Sequence, residues 1–409
     1  MSLSFECRSC GGRNGSLVVD LGIQPLANNL LRPEDLGKPE PKFPLRLAVC
    51  ESCWLLQILD LVPPVQLFSE YLYFSSFSDL MLRHAQEAVE CYTRDFSLDA
   101  NSLVVEIASN DGYLLQYFRA RKVPCLGIEP AANIAKVARE KGIETLVEFF
   151  GGGLARKLAG QGRQADLILG NNVFAHVPNP NDFVAGLQAL LKPGGRVILE
   201  FPYAADFIEN TEFDTIYHEH VFYFSLTTLR PLFERHGLEI FQVERLPIHG
   251  GSLRLFAGLQ GAHPADVSVN ALLEEERTKG LGATGYYEGF GKRVLELRRE
   301  LNRLIKELKQ QGKTVAAYGA SAKGSTLLNF FGLDAGTLQF VADRSTYKQG
   351  RLTPGTHIPI VAPEKLAVAR PDYTVLLTWN FADEILEQQK AYRAAGGKFI
   401  IPIPQVRVV

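Results

Sequence analysis

From residue 102 to residue 200, short apolar runs alternate with helix-length amphipathic segments. Ser102-Leu-Val-Val-Glu-Ile-Ala-Ser-Asn-Asp-Gly112 reads as a buried strand and a tight turn, and the helix that follows reaches Phe118. Pro124-Cys-Leu-Gly-Ile-Glu129 is a second strand ending in an acid, with helix 131–141 after it. A third unit runs from Asp166 to Pro178, and helix 182–191 then leads through Leu191-Lys-Pro-Gly-Gly195 into another strand. Apolar strands separated by helices pair in parallel and need both faces covered. This stretch therefore reads as a doubly wound α/β sheet, preceded by a helix over 83–96.

The first turn is the natural place for a ligand. Asn110 and Gly112 tolerate the backbone conformations that bring amides close to one. Glu129 lies 23 residues beyond Glu106, where an acid takes the ribose hydroxyls of a bound nucleoside. The G-x-G-x-x-G fingerprint is absent and Ala108 stands where a glycine is expected, which disfavours a dinucleotide. The candidate nucleoside-binding set is Glu106, Ala108, Ser109, Asn110, Gly112, Glu129 and Pro130, with Asn171 and Asn172 from the third unit.

Four of the six cysteines form two pairs, Cys7-Arg-Ser-Cys10 and Cys50-Glu-Ser-Cys53. Two such turns can close a four-thiolate tetrahedral zinc site with no open position, which makes the metal structural. The 39 residues between them are rich in proline and poor in core, the kind of module a metal crosslink stabilises. Cys91 and Cys125 are solitary and read as small core residues.

Past residue 200, two histidines, a glutamate and two tyrosines crowd into 217–223, in a chain with eight histidines. Tyr217-His-Glu-His220 allows three readings. His218 and His220 on an extended segment would face one side as a metal pair; the cluster can be structural; or it performs acid–base chemistry. In the last reading an acid orients an imidazole and a phenol donates to an oxyanion.

Residues 266–310 read as helical, with Glu274-Glu-Glu-Arg277 on a solvated face and packing leucines at 297, 301, 304 and 308. A second α/β unit follows: Thr314 to Leu328 is strand, small-residue turn and helix. Lys323 precedes Gly324-Ser325 without Walker spacing, so ATP hydrolysis is not expected. The helix start at Ser321 and the Lys323 ammonium suit a phosphate. Asp343 ends a strand over 338–343 and is followed by Arg344, Lys348 and Arg351. The set is read as the nucleotide half of a substrate site, with a purely structural repeat as the alternative. Strands at 373–379 and 398–403 complete that sheet.

The Glu106–Gly112 loop, Glu129-Pro130 and Leu191–Gly195 resemble the motifs of class I S-adenosylmethionine-dependent methyltransferases. With the cysteine pairs, Tyr217–His220 and the second α/β unit, the whole chain resembles the sugar C-methyltransferases, which act on nucleotide-linked 4-keto-deoxysugars. The resemblance implies zinc and S-adenosylmethionine as cofactors, a nucleotide sugar as substrate, and a carbon next to the ketone as the methylated position, C3 ahead of C5 with both left open. It implies His220 as the base, with Tyr217, Glu219, His176 and Tyr71 beside the reacting carbons. Tyr223 and His249, the latter in His249-Gly-Gly-Ser-Leu-Arg254, would contact the sugar. It also implies four segments: a zinc module (1–68), the methyltransferase domain (69–265), a helical connector (266–310) and a Rossmann-like domain (311–409). Heteroatom methylation and an inactive scaffold are the competing readings.

Composition excludes other classes. With 43 Lys and Arg against 45 Asp and Glu, the chain has no basic excess to attract nucleic acid. No apolar run approaches the ~20 residues of a membrane span, and the first residues lack a signal-peptide pattern. A cytoplasmic monomer is the expectation.

Overall fold

A computed structural model describes residues 4–68, 74–248 and 250–409. The amino-terminal module is an antiparallel meander of β1 (Gly15–Pro25), β2 (Lys42–Cys50) and β3 (Leu56–Ile58). Leu45, Leu47 and Val49 alternate into its core, and Ala48 and Cys50 are buried as well, because β2 is the central strand and is covered on both faces.

Eight strands follow: β4 (Val104–Ile107), β5 (Cys125–Ile128), β6 (Thr145–Leu146), β7 (Ala165–Asn171), β8 (Leu191–Pro202), β9 (Phe222–Tyr223), β10 (Leu238–Leu246) and β11 (Ser252–Leu259). All but β9 form one sheet in the order β10-β11-β8-β7-β4-β5-β6. β4 through β8 run parallel, and β11 is antiparallel between β8 and β10. This is the class I methyltransferase arrangement. β4 neighbours both β5 and β7, so the crevice at their carboxyl ends is the switch point where α/β sheets bind ligands. The helix ahead of the sheet spans Asp79–Asp95, starting four residues earlier than the periodicity indicated because Ser78 caps it, accepting from the Met81 amide.

β9 leaves this sheet and pairs with β3, joining Leu56 to Tyr223 and Gln57 to Phe222. One buried core consequently runs from Leu47 in the amino-terminal module through Phe224 to Val341 in the carboxy-terminal domain.

The connector is three helices, Val267–Lys279, Thr284–Tyr287 and Phe290–Gln310. Leu297, Leu301 and Leu308 are buried along the last. Glu276 corrects the solvated-face reading of 274–277: it is 0% exposed. Its carboxylate accepts from the Tyr203 hydroxyl (2.8 Å), the Leu226 and Thr227 amides (2.8 and 2.6 Å) and the Thr227 hydroxyl (2.5 Å). Those amides open helix Leu226–Arg235, so a remote acid caps it and satisfies donors that the helix leaves orphaned.

The carboxy-terminal sheet comprises β12 (Val315–Tyr318), β13 (Val341–Ala342), β14 (Ile360–Val361), β15 (Tyr373–Leu376), β16 (Lys398–Ile401) and β17 (Arg407–Val408), in the order β14-β13-β12-β15-β16-β17. All pairs are parallel except β16–β17. β13 is shorter than the strand expected over 338–343, and β15 stops at Leu376 because Trp379 begins a 3-10 turn. Among the described residues, no helix is long and apolar enough to cross a membrane.

Candidate active site and metal centre

The sulfurs of Cys7, Cys10, Cys50 and Cys53 all lie within 4.8 Å of one another. Cys7 and Cys53 are 3.5 Å apart, and Cys10 and Cys50 are 3.6 Å apart. A tetrahedral ion with Zn–S bonds of about 2.3 Å requires sulfurs separated by about 3.8 Å, so the donor set fits zinc. The Gly12 and Ser52 amides each donate to a cysteine sulfur at 3.4 Å, steadying Cys10 and Cys50 as ligands. The four thiolates hold a structural zinc.

A cavity of about 550 Å³ lies where the three parts of the chain meet. The amino-terminal module lends Asn28, and the middle part of the chain lends Glu129, His176, Tyr217 and His220. The carboxy-terminal domain lends Ser321, Lys323 and Lys348. Ala108, Asn110, Pro130, Asn171 and Asn172 also reach the wall. Asn110 takes the left-handed conformation expected of it, with φ of 50°, and Ala108, where a glycine was expected, takes it too, with φ of 53°.

Glu129 stands at the end of β5 and lines the cavity, and its two carboxylate oxygens accept from the Asn110 amide (3.0 Å) and the Ala131 amide (2.9 Å). Burial raises its pKa to about 6, against the pull of those two amides. An acceptor pair beside the apolar side chains of Ile107, Ile128, Phe149 and Met81 fits the ribose and adenine of S-adenosylmethionine.

His220 is held from both sides. Its Nδ1 lies 3.0 Å from the Thr215 carbonyl, which can only accept, so the proton is on Nδ1. Nε2 then takes the Tyr217 hydroxyl at 2.6 Å. The His176 ring sits edge-on to His220 with centroids 4.8 Å apart. Burial lowers the His176 pKa to about 4, so its ring is neutral, and its Nδ1 has no partner among the described residues. Glu219, 3% exposed, accepts from Asn28 Nδ2 with both oxygens, at 2.7 and 2.8 Å.

The metal-pair reading of His218 is overturned by the local backbone. Residues 217–220 form a turn closed by the His220 amide on the Tyr217 carbonyl at 2.9 Å. His218 therefore points away, its Nε2 3.1 Å from the Pro44 carbonyl, while His220 faces the cavity.

Several expected site residues are not on the wall. Glu106 faces away from it because β4 alternates and Ile107 takes the cavity side. Burial, with Asp111 and Glu129 nearby, pushes its carboxyl well above the usual range. Ser109 turns toward Gly127, and at Gly112 (φ +75°) a Cβ would lie 2.3 Å from Ile143, so this glycine serves packing. Tyr223 is buried with its hydroxyl on the Thr215 carbonyl at 2.9 Å. Asp343 accepts from the Ala320 amide (2.7 Å) and the Ser345 amide (2.8 Å), bracing the phosphate-type loop from outside. Arg344 is solvent-exposed, and Arg351 donates to the Leu30 carbonyl at 3.4 Å, tying two parts of the chain together. Tyr71 and His249 lie outside the described residues.

Asn28 carries little signal in sequence, standing with Asn29 in the otherwise apolar run Pro25–Leu31. Asp214, 0% exposed, is likewise unmarked in sequence, and its Oδ2 accepts from the Trp379 indole at 2.7 Å.

Three family models match in chain order: a zinc binding domain over residues 7–68, a methyltransferase domain over 81–243 and a C-methyltransferase C-terminal domain over 247–404. The chain is 39% identical over 405 residues to the C-methyltransferase NovU of Streptomyces niveus, covering 99% of this chain and 96% of that one. It is 30% identical over 96 residues to a ubiquinone biosynthesis O-methyltransferase of Bordetella avium, covering 23% of this chain and 40% of the relative. Among solved structures it is similar to the magnesium protoporphyrin IX methyltransferase of Synechocystis, with 16% identity, a TM-score of 0.33 and coverage of 44% of this chain and 81% of that chain.

Proposed function

The chain belongs to the sugar C-methyltransferase family and is an S-adenosylmethionine-dependent C-methyltransferase, and from that premise we propose that it methylates a nucleotide-linked 4-keto-6-deoxysugar at C3, next to the ketone. The observation that carries this reading is His220, fixed as the Nδ1–H tautomer with its Nε2 lone pair on the cavity side.

A sugar carbon becomes nucleophilic only when its C–H is removed and the negative charge passes to the ketone oxygen. His220 Nε2 takes that proton once the substrate displaces the Tyr217 hydroxyl, and the freed hydroxyl donates to the forming enolate oxygen. S-adenosylmethionine supplies the electrophilic methyl group. Neutral His176 adds no positive charge beside the imidazolium that forms at His220. Glu219 is not on the cavity wall itself and bears on the site through Asn28, which lines the cavity and donates to both of its oxygens.

The sugar's diphosphate is assigned to the carboxy-terminal wall, where Ser321 caps helix Ala322–Phe331 and Lys323 and Lys348 line the cavity. Thymidine is the nucleoside that the family resemblance implies.

The test is a panel of nucleotide-linked 4-keto sugars with S-adenosylmethionine, read as the gain of one methyl by mass spectrometry and its position by NMR. In deuterated buffer without the methyl donor, the C3 proton should exchange. A methyl found on oxygen or nitrogen, with no such exchange, would overturn the reading.

A further inference from the structure

The segment that carries the base is docked, residue by residue, on the carboxy-terminal domain. The Phe213 ring stacks on Phe331, with centroids 5.1 Å apart. The Asp214 carboxylate accepts from Trp379 Nε1 at 2.7 Å, and the Ile216 carbonyl accepts from the Thr326 hydroxyl at 3.1 Å. Between those two grips lies Thr215, whose carbonyl fixes the His220 tautomer. Both donors are themselves buried.

The elements that provide the grips also touch the cavity. Thr326 is on helix Ala322–Phe331, whose first turn presents Ser321 and Lys323 to the cavity. Trp379 stands between Thr378 and Asn380, both on the cavity wall, and Lys323 Nζ lies 5.0 Å from its ring centroid.

We propose that the carboxy-terminal domain, beyond binding the nucleotide, positions the catalytic base: Trp379 and Thr326 hold residues 214 and 216 so that the Thr215 carbonyl keeps the His220 proton on Nδ1. Trp379, Thr326 and Asp214 are then positioning residues. The inference rests on the reading of His220 as the base. A two-point hold on either side of one carbonyl leaves it little freedom to rotate, and a base misplaced by about 1 Å can lose about 100-fold in rate.

The test uses the zinc-loaded full chain with Trp379→Phe, Thr326→Val and the double variant. Trp379→Phe keeps an aromatic ring beneath Lys323 and removes the indole donor. S-adenosylmethionine affinity by calorimetry should stay at the wild-type value, showing an intact methyltransferase sheet. With thymidine diphosphate-linked 4-keto-6-deoxyglucose as the probe, C3-proton exchange and kcat should both fall about 10- to 100-fold in the double variant, while KM moves less than about threefold. Histidine ¹⁵N NMR should show His220 passing from one tautomer to a mixture. A double variant with wild-type exchange and a single Nδ1–H tautomer would overturn the proposal. If instead His220→Asn keeps full exchange, the base assignment falls, and the tautomer measurement still decides whether the two grips orient the ring.

Discussion

Asn28 and Glu219 are 191 residues apart in sequence, yet one amide nitrogen of Asn28 reaches both oxygens of the Glu219 carboxylate. The bond ties the zinc-held module to the motif that holds His220, the proposed base. It also gives the module a part in the active site, since Asn28 itself lines the cavity.

Asn28→Ala should therefore lower kcat/KM while leaving zinc content and S-adenosylmethionine affinity unchanged. A hydrogen bond to a buried charge is worth about 1.5–3 kcal/mol, which corresponds to a loss of about 10- to 100-fold. Asn28→Asp should be worse, because it sets one carboxylate against another. Steady-state kinetics that place the alanine variant within about twofold of wild type would remove Asn28 from the site.

Zinc removal should act on the same bond from a distance. Without the ion, the two cysteine turns lose their crosslink and β1 to β3 lose the frame that presents Asn28. Chelation or Cys53→Ser should depress kcat and the melting temperature before it weakens S-adenosylmethionine binding, since Glu129 belongs to another sheet. Metal determination that found no zinc in protein purified without chelator would contradict the four-thiolate site.

A third prediction concerns stability alone. Glu276→Ala leaves the Tyr203 hydroxyl and two helix-opening amides without their acceptor in the interior. Breaking a buried polar network of this kind costs about 3–5 kcal/mol, and in a chain of this length the melting temperature should drop by about 3–6 °C. Glu276→Gln, which keeps one carbonyl acceptor, should fall between the variant and wild type. An unchanged melting temperature in the alanine variant would mean that the network carries no load.

The parts of this molecule that were legible in sequence are those whose physics is local. Cys-x-x-Cys turns point two thiolates at one ion whatever surrounds them, and apolar strands separated by helices leave few choices but a parallel sheet. Glu129 is found by its place at a strand end. What failed depended on partners far along the chain or on a local turn that residue types alone do not specify. Glu276 sits in a charge run that looks solvated until Tyr203 and Thr227 supply its donors. His218 and His220 look like one pair until a turn, closed by a single amide, sends them in opposite directions.

His176 gives a pH dependence with a definite sign. Burial lowers its pKa from 6.5 to about 4, so between those values the unfolded chain binds a proton that the folded one refuses. The contribution to stability is fully present above pH 6.5 and is lost as pH falls through that value toward 4. The size is about 3 kcal/mol, from about 1.4 kcal/mol per pH unit. His176→Gln removes this term and leaves the other titrating groups in place, including Glu129 and Glu212, whose raised pKa values work in the opposite direction. Melting temperatures at pH 7 and pH 4.5 should thus differ less in the variant than in wild type. If the two proteins lost stability in parallel over that range, the ring of His176 would be as free to protonate as a histidine in water.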